Sequence, residues 1–131
     1  MSQQGVELVR EMYAAFHGGD AGRALSFFDE DVVVDATARI DGGTGRGREE
    51  LASVIGRWLA AFEGWHEEIE EIHDLGDRVC VVAVQSGRGK DTGIDTRTRY
   101  AVLYEVRGDA ITRMTLYRNP ERALEAAGPP Q

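Results

Sequence analysis

The chain has 131 residues, of which 42% are hydrophobic and 29% charged, and its formal net charge is -8. That length is enough for one hydrophobic core, and the composition excludes the disordered and fibrous classes. With no lysine or arginine run to track a phosphate backbone, the acidic balance argues against nucleic acid and anionic membrane surfaces as partners. Cys80 is the only cysteine and sits in an apolar run, which points to a buried, reduced thiol and a reducing cytoplasm. The start, Met1-Ser2-Gln3-Gln4, lacks a basic segment followed by an apolar one, and no window approaches the roughly eighteen apolar residues of a membrane span. The expectation is one cytoplasmic domain over residues 1–131.

Val6, Val9, Met12, Tyr13 and Phe16 recur at steps of three and four, which predicts a helix ending at Gly18-Gly19. Asp20 is a suitable N-cap for a short second helix carrying Ala24, Leu25, Phe27 and Phe28, terminated by Asp29-Glu30-Asp31. A short strand, Val32 to Asp35, follows, then a glycine-rich loop from Asp41 to Gly47. Leu51, Val54, Ile55, Trp58, Leu59 and Phe62 form the apolar stripe of a third helix, opposite Glu49, Arg57 and Glu63. From His66 the pattern becomes a meander of strands broken at Gly76-Asp77, between Gly87 and Gly93, and at Gly108-Asp109. Val79 to Val84 and Tyr100 to Tyr104 are nearly continuous in apolar residues, so both faces of those strands should be covered. Helices supply one cover; for the other, the simplest supply is a second copy, hence an expected homodimer through the outer sheet face. Asn119, Pro120 and a final Gly128-Pro129 bracket a short closing helix.

This order of elements resembles the nuclear transport factor 2-like superfamily, and its wording is closest to the SnoaL-like branch. Tyr13-Ala14-Ala15-Phe16 before Gly19-Asp20, Phe28 to Asp35, Gly47 to Leu51, Gly76 to Val79, Arg107 to Ile111, and Tyr117 with Ala123 to Gly128 carry the likeness across almost the whole chain. The fold it implies is α+β: three N-terminal helices packed on a highly curved, mainly antiparallel sheet, a cone with an internal pocket, and a short C-terminal helix.

The catalytic sets that the resemblance suggests each map onto definite positions of this sequence. For ketosteroid isomerase, the base position falls on Ala36, one residue from Asp35; the buried acid position falls on Ala101; the helical tyrosine fits Tyr13 with a one-residue shift. For limonene epoxide hydrolase, the last-strand carboxylate position falls on Leu116, and its arginine and aspartate strand falls on Val84 to Gly87, which offers no acid. A scytalone dehydratase arrangement would need converging histidines, whereas His17, His66 and His73 share no such spacing. No metal or organic cofactor is expected.

Counting back and forward from the Gly108 hairpin, the inward residues of the last two strands are Arg97, Arg99, Ala101 and Leu103 on one, and Met114, Leu116 and Arg118 on the other. Arginines at a pocket mouth would favour an anionic ligand such as a carboxylate; equally, Arg97 and Arg99 could be solvated or paired to Glu67, Glu68 or Glu70. Asp35, the acid embedded in an apolar strand, is the candidate general base and Tyr13 the candidate donor, with a strand-end carboxylate and a core tyrosine as their respective alternatives. Trp58, Phe62 and Trp65 would form an aromatic wall, with His66 either at the rim or on the surface.

The resulting expectation is a small hydrophobic metabolite, anionic or carbonyl-bearing, bound in the cone with cofactor-free acid-base chemistry of an isomerase, cyclase or hydrolase type. A non-catalytic binding protein, or a structural dimer of the same fold with a filled cone, is the alternative.

Overall fold

The computed structural model describes residues 2–38 and 43–128. Helix α1, Ser2–His17, buries Val9, Met12, Tyr13 and Ala15 along one side. It stops where Gly19 takes a φ of 86°, a left-handed conformation that costs glycine little, and the Asp20 N–H donates back to the Ala15 carbonyl at 2.9 Å. The Asp20 side chain then caps α2, Ala21–Ser26, by accepting from the Arg23 N–H at 3.0 Å.

Strand β1, Phe28–Asp35, includes the acidic residues expected to form a turn. Phe28 pairs with Ile111 and pairing resumes only at Val33 with Arg113, so Asp29 to Val32 on β1 span a stretch where the partner strand advances by far fewer residues. Acidic side chains fit such a bulge because they stay wet there. The expected loop from Asp41 to Gly47 contains a short strand, β2, Thr44–Arg46, antiparallel to β1; Asp41 and Gly42 lie outside the described residues. Helix α3, Arg48–Ala60, carries Glu49 and Glu50 in its first turn, where the helix dipole favours negative charge, and buries Leu51, Val54 and Trp58. It ends earlier than its apolar stripe suggested: Phe62 opens β3, Phe62–Asp74, rather than closing the helix.

Strands β4, Arg78–Gly89, β5, Asp95–Arg107, and β6, Ala110–Tyr117, complete a curved six-stranded sheet in the order β2-β1-β6-β5-β4-β3, antiparallel except where β1 meets β6. Val79, Val81 and Ala83 of β4, with Tyr100, Val102 and Tyr104 of β5, join the main core beneath α1 and α3. The alternate residues Cys80, Val82, Ala101 and Leu103 form a second cluster with Leu75, Ala123 and Ala127. The last two belong to α4, Pro120–Ala127, whose N-cap Asn119 accepts from the Glu121 N–H at 2.9 Å. Helix α4 therefore packs over this cluster on the outer face of the sheet. Among the described residues, no helix is long and apolar enough to cross a membrane.

The β5–β6 hairpin departs from a regular ladder at one place. Arg107 pairs with Ala110 and Val106 with Ile111, but Glu105 pairs with Arg113, which leaves Thr112 as an extra residue on β6. Its hydroxyl donates to the Glu105 carbonyl at 3.2 Å. Beyond this bulge Tyr104 faces Met114 and Val102 faces Leu116, instead of the Leu103–Met114 and Ala101–Leu116 pairs that a regular hairpin would give.

Candidate functional site

A cavity of about 250 Å³ lies between α1, α2, α3 and the inner face of β3, β5 and β6, close to the size at which ligand sites begin, roughly 300 Å³. Its walls are mostly apolar, with Met12, Phe16, Phe28, Leu51, Trp58, Tyr100 and Met114 among them. Ala21, Ala52 and Gly56 line the space yet are exposed, so the opening lies between α2 and α3. Two polar features interrupt this lining.

The first is a pair of tyrosines. The hydroxyls of Tyr13 and Tyr104 lie 2.7 Å apart, and the rings meet edge to face with centroids at 6.1 Å. Burial pushes both hydroxyls well above the ordinary phenol range, so both are neutral donors. Two hydroxyls hold two protons and one suffices for the bond between them; the other can be offered to a ligand oxygen.

The second feature is Glu67. It occupies the inward phase of β3 with Trp65 and Ile69, and only 4% of its side chain is exposed. Burial raises its carboxyl above the ordinary glutamate value of 4.5, and the hydrogen bond from His17 partly opposes that shift. His17 Nε2 lies 2.9 Å from Glu67 Oε1. Among the described residues, Glu67 is the only carboxylate or cation in the cavity wall. Beside it, the indole N–H groups of Trp58 and Trp65 both donate to Gln85 Oε1, at 2.7 and 2.9 Å, which fixes the aromatic wall to β4.

Of the residues expected from the sequence, Tyr13, Trp58, Trp65 and Met114 line the cavity. Phe62 and Leu116 pack in the core beside it. Asp35 does not reach it: Val32, Val34 and Ala36 take the buried phase of β1, and Asp35 turns the other way. Its carboxylate accepts from the Thr37 hydroxyl at 2.7 Å and the Thr37 N–H at 3.1 Å. Those bonds, the hydroxyl first, hold its carboxyl below the usual range against the opposing effect of partial burial. Asp35 is thus an ionised turn staple, and its candidacy as base is corrected.

The arginines are corrected as well. Arg99 pairs with Glu70 at 2.8 Å and Glu71 at 3.1 Å, while Arg97 and Arg118 are exposed and outside the lining. Once the Thr112 bulge is counted, Arg97 and Arg99 share the outer phase of β5 with Ala101 and Leu103. His66 lies in the outward phase of β3, 66% exposed, at 3.4 Å from Glu68. Glu67, His17, Tyr100 and Tyr104 were missed. A period-two count along Trp65, Glu67 and Ile69 would have found Glu67, since an acid in the apolar phase of a strand is the anomaly; Tyr104 was hidden by the bulge.

Comparison with known proteins agrees with this architecture. Among solved structures, a proposed polyketide cyclase from Xanthomonas campestris is 28% identical, with a TM-score of 0.70 over 96% of this chain and 98% of that one. A protein of ketosteroid isomerase-like fold from Catenulispora acidiphila, solved in complex with trimethylamine, is also 28% identical, with a TM-score of 0.73 over 95% of this chain and 94% of that one. Bal32a, from a soil-derived mobile gene cassette, is 22% identical with a TM-score of 0.78, covering 88% and 89% of the two chains. No curated protein matches the chain. Residues 9–114 match the SnoaL-like domain, which is most of the chain, and the protein belongs to the SnoaL-like domain family.

Proposed function

We propose that the cone binds a small, neutral, largely apolar metabolite bearing a carbonyl group, and moves a proton on it without a cofactor. The observation that carries this reading is the presence of a buried carboxylate, Glu67, and a neutral hydroxyl pair, Tyr13 and Tyr104, in the wall of one apolar cavity. Glu67 takes a proton from the carbon next to the carbonyl, and the tyrosine pair donates a hydrogen bond to the oxygen where negative charge develops. A carboxyl raised by burial is suited to that task, because its proton affinity lies closer to that of working pH. A neutral ligand is preferred to an anionic one, since among the described residues no arginine lines the space and Glu67 would repel a carboxylate. The likeness to a proposed polyketide cyclase supports carbonyl chemistry. The free, buried Cys80 supports a cytoplasmic setting. A second copy docked on the outer face would meet α4 and the band of Arg99, Glu70 and Glu71, and sedimentation at several concentrations tests for it.

The test uses 2-tetralone as a probe, following exchange of its α-hydrogens in D₂O by proton NMR. The wild-type protein should accelerate exchange, and Glu67→Gln should lower that acceleration by about 100-fold or more. Equal rates for the two proteins would end the reading of Glu67 as a base.

A second reading has its own support. A lone carboxylate among Phe16, Phe28, Trp58, Trp65 and Tyr100 also suits a small ammonium ion, by charge and by cation–π attraction, and the Catenulispora relative was solved with trimethylamine. Titration with trimethylammonium, read by tryptophan fluorescence, separates the two: binding without ketone exchange would favour the ammonium reading.

A further inference from the structure

We propose that His17 is the solvent-side proton partner of Glu67, carrying protons between the enclosed carboxyl and water so that the carboxylate is reset after each transfer. The catalytic part of this rests on Glu67 acting as the base. The geometry is specific. Glu67 is sealed, with 4% of its side chain exposed, while His17, at the last turn of α1, is 33% exposed and holds its Nε2 at 2.9 Å from Glu67 Oε1. His17 therefore touches both the closed carboxylate and the outside.

The other titratable groups around Glu67 serve this role poorly. From α1, Tyr13 and, from β5, Tyr104 are phenols whose burial holds them neutral. On β3 itself, His66 lies in the outward phase and sits against Glu68 at 3.4 Å. Across the ladder from Glu67 stands Gln85, an amide that does not titrate. An imidazole has two ring nitrogens, and this is what a relay requires. When Glu67 is protonated and the ring carries its hydrogen on Nδ1, the carboxyl proton passes to Nε2 and the Nδ1 proton leaves to water. What remains is an Nε2–H donating to an ionised carboxylate, and exchange of the ring's proton with water returns it to the Nδ1–H tautomer before the next transfer.

The experiment labels the glutamate side chains with carbon-13 and follows the Glu67 carboxyl shift against pH in wild type and in His17→Gln, with Glu67→Gln giving the assignment. The glutamine keeps a hydrogen-bond donor of similar reach but cannot titrate. The Glu67 midpoint should rise by about one pH unit or more in His17→Gln. Superimposable Glu67 curves in the two proteins would overturn the proposal, whatever the chemistry of the cavity. The second arm follows isomerisation of 3-cyclohexenone to 2-cyclohexenone in D₂O. Wild-type product should carry solvent deuterium at the new carbon–hydrogen bond, and His17→Gln product should retain the substrate's own hydrogen, because Glu67 can only return what it took. Equal deuterium content in the two products would also overturn it. If wild type turns over neither ketone, the reading of Glu67 as a base falls and the titration alone decides the role of His17.

Discussion

The hydroxyl oxygens of Tyr13 and Tyr104 meet at 2.7 Å although the residues are 91 positions apart in the chain. That contact ties α1 to the inner face of β5 in the wall of the cavity, so it joins stability to the proposed chemistry. Removing one partner leaves a buried hydroxyl with no mate, whereas removing both leaves an apolar contact. Tyr13→Phe or Tyr104→Phe alone should therefore cost about 1–3 kcal/mol in urea unfolding. The double variant should cost less than the sum of the two singles, and additive costs would show that the hydroxyls are not coupled.

Glu67 has a pH signature of its own. Its folded carboxyl is raised above the ordinary 4.5 by burial, so over the interval just above that value the native state holds more proton at this site than the unfolded chain. Stability contributed by this site is then greatest at low pH and falls as pH rises through that interval. Glu67→Gln should remove this component. The difference in Tm between variant and wild type should grow in the variant's favour from about pH 4 to neutrality. A difference independent of pH would mean that Glu67 titrates as an ordinary surface acid.

Asp35 predicts the reverse. Its carboxyl is held below 3.8, chiefly by the Thr37 hydroxyl, so its contribution is present above that value and fades as pH falls through the lowered one. Asp35→Ala should cost about 1 kcal/mol or less near neutral pH and almost nothing in strong acid, while leaving ketone exchange unchanged. A loss of exchange without loss of fold would return Asp35 to the site.

Gln85 holds both indoles at one oxygen. Gln85→Leu withdraws that acceptor from Trp58 and Trp65, and should lower stability by about 2 kcal/mol or more in urea unfolding while shifting the tryptophan emission. Unchanged emission would mean that Gln85 does not set the indole positions.

The mouth offers a variant that spares the core. Ala52 is exposed on α3 and lines the opening, so Ala52→Trp should block ligand entry with a stability change within about 0.5 kcal/mol. Undiminished quenching of tryptophan fluorescence by 2-tetralone would place the entrance elsewhere.

Helix periodicity was readable because it repeats: Val9, Met12 and Tyr13 on α1, and Leu51, Val54 and Trp58 on α3, lie where their spacing put them. Strand phase was readable only where polar and apolar residues alternate. In β5, Tyr100 to Tyr104 is buried throughout, because α4 covers one face and the cone lies behind the other. A run covered on both sides carries no phase, so the phase was borrowed from the hairpin, and the unforeseen Thr112 bulge reversed it. Phe62 shows a different limit: an apolar residue at the right helical spacing can equally begin the next strand. Glu67 is legible in principle, flanked two residues away by Trp65 and Ile69, whereas His66 beside it belongs to the outward phase.

That extra threonine bears on how knowledge passes between relatives. Any alignment of this chain that runs ungapped from the Gly108 turn exchanges Tyr104 for Leu103 and Val102 for Ala101, and so names as ligand contacts the side chains packed under the terminal helix. A relative without the extra residue would share the fold while presenting the opposite set of β5 side chains to its interior. Sorting homologues by the parity of this hairpin, before comparing their chemistry, would group together the proteins whose interiors correspond.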